Sequence, residues 1–442
     1  MRELVRRELA IVLGARATWV ALAASALLVG HGFVLAVDLF SAASRSALGA
    51  TLMRREMDPL AGVVRPLLGG VYVSAALLAP VIAARPVAIE RERRTYGALA
   101  LAMGGTGRVV GAKAIAALAG ASLLLAPALA HLALWVALGG HLGAQETLVA
   151  VGGHALRLGV VAAIALAASA GARSVAQAIT IAIGVTLASW AIDAGEGFAA
   201  LAWLGPMEWA SAARRLAPFE RGVLSVGAAS WMLAAIAAGL AIAFALGRIG
   251  RARDRAAPAL AIAVVAAFAL IGAARVQRGW DLSEATRASY PPATVAALRA
   301  IDAPISITVW LDRDDGRRAQ LEGDALSKLR LARPDVVVST PLDDAPRPAE
   351  GARDDGYGRV VVRVGAAERE TRSTSRKELA TLLLEAAGRA MPDATAPEYA
   401  GYPLVIEGAR RAWLGAFAYG LVPGVLVVVG WLVTRSRRRK TQ

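Results

Sequence analysis

The sequence predicts a mainly α-helical, eight-helix polytopic membrane protein. It is built as a six-span core plus two further spans, with one extracytoplasmic α/β domain between spans seven and eight. Three observations carry this expectation. Of the 442 residues, 57% are apolar and the mean hydropathy is +0.52, high for a soluble chain of this length. The apolar residues gather into eight charge-poor stretches, each near the roughly 20 residues that a spanning helix needs. One polar block of about 135 residues, 277–411, interrupts them. Backbone groups in hydrocarbon must bond to one another, so each apolar stretch is expected to be a helix.

Residues 1–15 read as an amphipathic helix on the inner membrane surface. Leu4, Val5, Leu9 and Val12 share one face, and Arg2, Arg6 and Arg7 lie off it. Glu8 intrudes on the apolar face. Glu3 and Glu8, with no small-residue cleavage site after the first apolar run, argue against a signal peptide. The first span is expected at 17–37, the second between Arg65 and Arg85, and the third at 114–138. The fourth begins near Gly152 and ends before Arg173, which leaves Arg157 near an interface, where its long side chain could snorkel. The fifth covers 174–192. The sixth lies between Arg221 and Arg248, the seventh between Arg255 and Arg275, and the eighth between Arg411 and Arg435.

The polar block alternates helical and strand patterns, as an α/β unit does. Helices are expected at 291–301, 320–332 and 375–391, the last with Ser375 and Glu378 in capping-box positions. Strands are expected at 305–311, 335–339 and 359–364, with a last one at 403–406. Residues 341–355, rich in Asp, Pro and Gly, read as a loop. The domain boundaries are therefore 1–255 for the six-span core with its N-terminal helix, 256–275 for the seventh span, 276–411 for the polar domain, and 412–442 for the eighth span and basic tail.

A net charge of +15 would suggest a nucleic-acid partner, but its distribution argues against one. The polar block holds 20 basic and 21 acidic residues, so the excess sits in short loops and tails beside spans. With both termini in the cytoplasm, 20 Lys and Arg fall inside against 8 in the short outer loops. The positive-inside rule favours that orientation and places the polar block outside. There is no Cys, hence no disulfide framework, thiolate metal site or Cys nucleophile, and the four His residues have no metal-ligand spacing.

The segment between spans two and three carries the sharpest pattern. A mixed-charge stretch, Arg85 to Gly97 with Glu90, Arg91, Glu92, Arg93, Arg94 and Thr95, is followed by a short apolar helix. A glycine turn at Gly104 and Gly105 then leads to Arg108 and Lys113 at the head of the next span. This is either a lever that a cytosolic partner grips or an ordinary positive-inside loop. The run from Gly105 to Lys113 looks like a phosphate-binding loop, but Ala112 splits the required Gly-Lys pair and a span follows. Glu208, Phe219, Glu220 and Arg221 flank the outer loop between spans five and six. They read as external-gate candidates or as an interfacial helix with an aromatic belt formed with Trp203 and Trp209. His31 and His131, inside spans, read first as interhelical hydrogen-bonding groups.

Four segments resemble type-two ABC exporter permease sequence, closest to the gliding-motility-type subgroup. They are the opening run RRELAIVLGARATWVALA, the ERERRTYGALALAMGG…GAK segment after span two, the SAGARSVAQAI turn between spans four and five, and Phe219-Glu220-Arg221-Gly222-Val223 before span six. The run from Trp280 to Arg287 and the following SYPPATVAALRAIDAPISITVWL are similar to the start of the gliding-motility auxiliary protein's external domain. Ala98 and Ala100 stand where the family commonly has Thr and Glu. The resemblance implies a permease fused to a shortened auxiliary domain in a bacterial inner (plasma) membrane. It implies that Arg85, Glu90, Arg91, Glu92, Arg93, Arg94, Thr95 and Gly97 belong to a coupling helix docked on a cytosolic ABC ATPase. ATP and Mg would be bound by that partner subunit and no cofactor by this chain. The expected partners are the ATPase, a second permease copy in a homodimer, and membrane lipids. No nucleic acid and no enzymatic activity of its own are expected. Two other classes remain open. One is a non-transporting scaffold or motility component whose external domain binds a polymer or protein. The other is a membrane enzyme, against which stands a polar block without His, Cys or a nucleophile–base set.

Overall fold

The computed structural model describes residues 1–194, 199–312, 315–343, 356–393 and 399–441. It is a multi-pass membrane protein, mostly helical, with eight helices among the described residues long and apolar enough to cross a membrane. The N-terminal helix (Arg2–Gly14) ends at Ala15, whose extended backbone turns the chain into the first span. Thr18 and Trp19 lock that elbow by donating to the Val12 and Leu13 carbonyls, at 2.7 Å each. These are orphan groups of the preceding helix end.

The spans run Arg16–Ala47, Leu60–Leu77, Thr106–Ala137, Ala144–Gly171, Val175–Ile192, Val226–Leu246, Ala252–Ala274 and Ala409–Ser436. Several are longer than the charge-free windows suggested. The first continues ten residues past Val37 because Ser41 and Ser44 on its extension receive the backbone amides of Ile406 and Leu404. The expected strand at 403–406 does not form, since its amides bond to those serines instead of to a sheet. The second span begins at Leu60 and so includes Arg65. The third begins at Thr106, with Arg108 and Lys113 in its first turns. The fourth begins at Ala144, which places Arg157 at mid-helix. Arg157 does not snorkel: it is 2% exposed, with its guanidinium 5.3 Å from the Tyr72 ring centroid.

Spans one to four supply most of one large apolar core. Spans six and seven lie to one side, and only 6% of the seventh span's apolar window is buried. His31 makes an interhelical contact with the Tyr419 hydroxyl at 3.0 Å, as expected. His131 differs, because its Nδ1 faces the Pro127 carbonyl of its own helix.

The polar domain contains a four-stranded sheet of β3 (Ile305–Val309), β4 (Val337–Ser339), β5 (Val360–Val364) and β6 (Ala367–Thr371), in the order β4-β3-β5-β6. The β3–β4 pair is parallel and the other two are antiparallel. β3 and β5 bury alternate residues, among them Ile305, Ile307, Val309, Val360, Val362 and Val364, against helices that include Ser327–Ala332 and Arg376–Ala386. β6 was not expected. Its AERET sequence is polar throughout, and as an edge strand it buries neither face, so no alternation marks it. The helix after Ser375 forms, but not the capping box: Ser375 makes no side-chain cap bond, and Glu378 accepts from Thr371 instead.

Two further strands, β1 (Val223–Ser225) and β2 (Gly279–Asp281), pair antiparallel where the polar block joins the spans.

Candidate functional site

The segment between spans two and three forms a helix (Arg85–Glu92) and a second short helix (Tyr96–Ala102), as its composition predicted, with a tight turn between them that the sequence did not mark. Pro86 sits in the first turn, where a missing N–H costs nothing. The first helix ends in a Schellman motif: the Thr95 amide donates to the Glu90 carbonyl at 2.9 Å, and the Arg94 amide to the Arg91 carbonyl at 3.1 Å. The residue required to be left-handed there is Arg94, at φ +58°. Glycine takes that position without steric cost, whereas an L side chain in it costs roughly 1–2 kcal/mol. An arginine held in such a conformation at a surface turn points to a use beyond folding. The second helix ends at Gly104, φ +71°, which completes the expected glycine turn.

This junction is bonded to nearly every element on its side of the bundle. Glu90 and Glu8 both reach Lys113 Nζ, at 3.0 and 2.8 Å. Glu8 and Lys113 are each 1% exposed. The N-terminal helix, the junction helix and the third span therefore meet at one buried ammonium. Ser169 Oγ on the fourth span accepts the Val87 and Ala88 amides, at 3.1 and 2.8 Å. Glu92 accepts the Val175 amide at 3.1 Å, a carboxylate at the N-terminus of the fifth span, where the helix dipole favours it. Arg91 and the Tyr96 hydroxyl donate to the Leu246 and Gly247 carbonyls, 2.7 Å each, at the C-terminal end of the sixth span. A displacement of this junction is thus felt by spans three, four, five and six.

The resemblance implied one continuous contact surface from Glu90 to Thr95, and the structure divides it. Glu90 is buried against Lys113, and Arg91 is half-buried against the sixth span. Arg85 and Gly97 are also half-buried. Glu92, Arg93, Arg94 and Thr95 are exposed and form the rim, Glu92 while also held to the start of the fifth span. Burial raises the Glu90 carboxyl above its ordinary value. Lys113 opposes that rise, while the nearby Glu8 charge adds to it. Two carboxylates sharing one ammonium are electrically balanced when one of them holds a proton. Lys113, which would have been the lysine of a phosphate loop, is committed to this triad.

The opposite side of the bundle carries a second constellation, formed by two motifs that the sequence showed separately. The Phe219-to-Val223 segment leads into β1 and the Asp281-to-Arg287 segment follows β2, so strand pairing brings them together. The Leu282 amide bonds to the Gly222 carbonyl at 2.9 Å. Arg287 is ion-paired with Asp58 at the start of the second span and with Glu146 in the first turn of the fourth, the latter at 3.0 Å. Its guanidinium also lies 3.9 Å from the Tyr399 ring centroid. Glu146 accepts the Glu284 amide at 2.8 Å. Glu284 in turn accepts from Tyr402 and contacts His141 at 2.8 Å, and His141 stacks on Tyr402. Burial alone would raise the Glu284 carboxyl, but the Tyr402 and His141 hydrogen bonds outweigh it and hold the group below its usual value. Both ends of the polar domain are clasped to the spans here. Gly401 shows how close the approach is: it has φ +68°, and a Cβ on it would lie 1.7 Å from the Arg54 carbonyl oxygen.

Of the gate candidates, Phe219 is buried against Gly153 of the fourth span, and Glu220 contacts His154 at 3.2 Å on the same helix. Arg221 faces a cavity. Glu208 lies in the 3-10 helix Ala199–Ala210, with its side chain outside the described residues. Asp315 caps the helix Gly316–Gln320 and pairs with Arg317, whose hydrogen bonds hold its carboxyl well below the usual range.

Comparison with known proteins returns no match: no family model fits the chain, and no curated protein or solved structure is significantly similar to it.

Proposed function

We propose that this chain is the transmembrane permease subunit of an ATP-driven ABC transporter, working as an exporter. It would couple ATP hydrolysis in a separate cytosolic ATPase to substrate movement across a bacterial inner membrane. Its termini and the junction would be cytoplasmic and its polar domain extracytoplasmic. The observation that carries this reading is the hub around Lys113, where one short helix is bonded to spans three to six and, through Lys113, to the N-terminal helix. A motor needs a short, stiff handle of this kind, because a rigid-body shift applied there reaches several spans at once. The charge asymmetry of the loops supports the orientation. The motifs after span two and before span six support the family. ATP and Mg would bind to the partner, and a second copy of this chain would complete the path. The largely bare fifth and seventh spans leave room for that copy and for lipid.

Glu92 to Thr95 form the gripping rim in this reading. Arg93→Glu with Arg94→Glu is expected to abolish co-purification of the ATPase from native membranes. The spans should stay folded, because neither side chain bonds to them. Undiminished co-purification and undiminished nucleotide-dependent export by that variant would exclude the assignment.

A further inference from the structure

We propose that residues 281–287 form a sprung strap that holds the polar domain against the spans, and that releasing Arg287 lets the domain tilt away as a lid over the seam. In packing terms the two halves are separate bodies. The polar domain's apolar core, which includes Tyr290 and Leu384, contains no span residue, and the span cores contain none from 290 to 391. A cavity of about 790 Å³ lies between them. The short helix Ala212–Glu220 and the exit of the seventh span line one side, through Ala217, Pro218 and Val276. The polar domain lines the other, through Ala319, Gly323 and Ser327. Arg221 bridges the gap at one point, where a Cβ on Gly323 would lie 3.7 Å from its guanidinium. It feels Asp324 and Glu322 of the polar domain as well as Glu220 and Arg65 on its own side. Attraction across the gap therefore helps to hold the lid down.

The strap is strained where the chain leaves the clasp. Ala285 (φ +54°, ψ +25°) and Thr286 (φ +52°) are consecutive left-handed residues, and neither is glycine. Each disfavours its conformation by roughly five- to thirtyfold, and a β-branched side chain there is a genuine outlier. Such strain persists only where the surroundings over-determine it, and it gathers at switch segments. Here the neighbouring bonds supply the constraint. Glu146 accepts the Glu284 amide at 2.8 Å, Ser283 Oγ accepts the Ala288 amide at 3.0 Å, and Arg287 is pinned between Asp58 and Glu146. Tyr290 follows closely and is buried in the polar domain's core, so a change of φ at 285 and 286 swings the whole domain. Asp58 stands just before span two and Glu146 in the first turn of span four. The far ends of the same two helices meet at the junction, where Ser169 accepts the Val87 and Ala88 amides. A shift of either span relative to the other changes what Arg287 can reach, while the strain at 285 and 286 favours release. Two opposed effects of similar size make a bistable element. Such a strap would serve a transporter and a scaffold alike.

The test uses the full chain in phosphatidylcholine nanodiscs, with spin labels on Leu148→Cys and Glu385→Cys. Leu148 is exposed near the start of span four and Glu385 is exposed on the polar-domain helix Arg376–Ala386. The chain has no cysteine of its own, so only these two positions are labelled. The intact strap is expected to give one dominant interspin distance, and Arg287→Ala a second, longer distance as the main population. Ala285→Gly with Thr286→Gly should act the other way, because left-handed glycines carry no such cost. In that variant the Leu282 and Glu284 amides, which report the strap, should exchange at least about fivefold more slowly. If Arg287→Ala does not fold, Ala285→Pro takes its place with the same expected distance, since its fixed φ near −65° cannot adopt the strained conformation. A single unchanged distance in the released variant, or a broad spread without a second maximum, overturns the lid. Unchanged or faster exchange in the glycine pair overturns the spring.

Discussion

Lys113→Ala is expected to destabilise the junction by about 3–5 kcal/mol, the usual cost of removing one partner from a buried ion pair. The substitution leaves the Glu8 and Glu90 carboxylates facing each other without a cation, in a place almost closed to water. Neither can stay ionised cheaply, so part of the cost becomes proton uptake. Thermal and SDS unfolding of the purified chain should show the loss. Proteolysis should show the N-terminal helix released first, since Lys113 ties it to the third span. Glu8→Leu, Lys113→Met and Glu90→Leu together should restore much of the stability, because a packed apolar trio needs no desolvation of charge. The triple variant then separates roles: it should be stable yet altered in coupling if the charges matter for the stroke.

The pH dependence of this junction has a definite sign. The Glu90 carboxyl is raised in the folded state, so the folded junction holds that proton more tightly than the unfolded chain does. Its contribution is complete below an ordinary glutamate's pKa and is lost as pH rises through the folded value. Glu90→Gln, which mimics the protonated form, should flatten that dependence while keeping the hydrogen bond to Lys113 geometrically possible. An unchanged pH profile in Glu90→Gln would show that the proton resides elsewhere.

Arg287→Ala is the second large effect. It removes the cation shared by Asp58 and Glu146 and the group stacked on Tyr399. Glu146 is almost fully buried, whereas Asp58 and Arg287 are partly exposed, so a cost of about 2–4 kcal/mol is expected rather than the full buried-pair value. The loss should be local. The Leu282 and Glu284 amides, which bond to the Gly222 carbonyl and to Glu146, should exchange about thirty- to seven-hundredfold faster, while span amides keep their protection. Arg287→Lys should fall between, since an ammonium keeps the charge but not the planar fork. If exchange at these amides does not change, Arg287 does not hold the clasp.

The spans were legible because hydrocarbon leaves a continuous apolar run as the signature of each helix. Their ends were less legible, because charged residues can enter a span when a partner meets them. Arg157 and Lys113 break the charge-free windows, and nothing local says that each is buried. Glu8 was the one visible hint. A carboxylate on an otherwise apolar helix face asks for a cation, but the cation lies 105 positions along the chain. Both halves of the clasp were recognisable as motifs. Their meeting was not, because pairing of β1 with β2 links residues more than 50 positions apart and each strand is only three residues long. The strand expected at 403–406 failed for a similar reason, since hydroxyls on the first span outcompeted a sheet edge for its amides. The stretch from Glu92 to Thr95 was read as part of a mixed-charge helix, whereas the helix ends at Glu92 and a turn follows, and which of the junction's side chains point inward depends on the third, fifth and sixth spans.

The chain has no cysteine, so a single introduced thiol is a unique reporter of sidedness. The most direct measurement labels Arg94→Cys and Arg363→Cys, in separate variants, with a membrane-impermeant maleimide on intact cells. Reaction of Arg363→Cys, with Arg94→Cys reacting only after permeabilisation, is the expected result. Labelling of Arg94→Cys in intact cells would put the junction on the wrong side of the membrane for any ATP-driven partner and would contradict the coupling role.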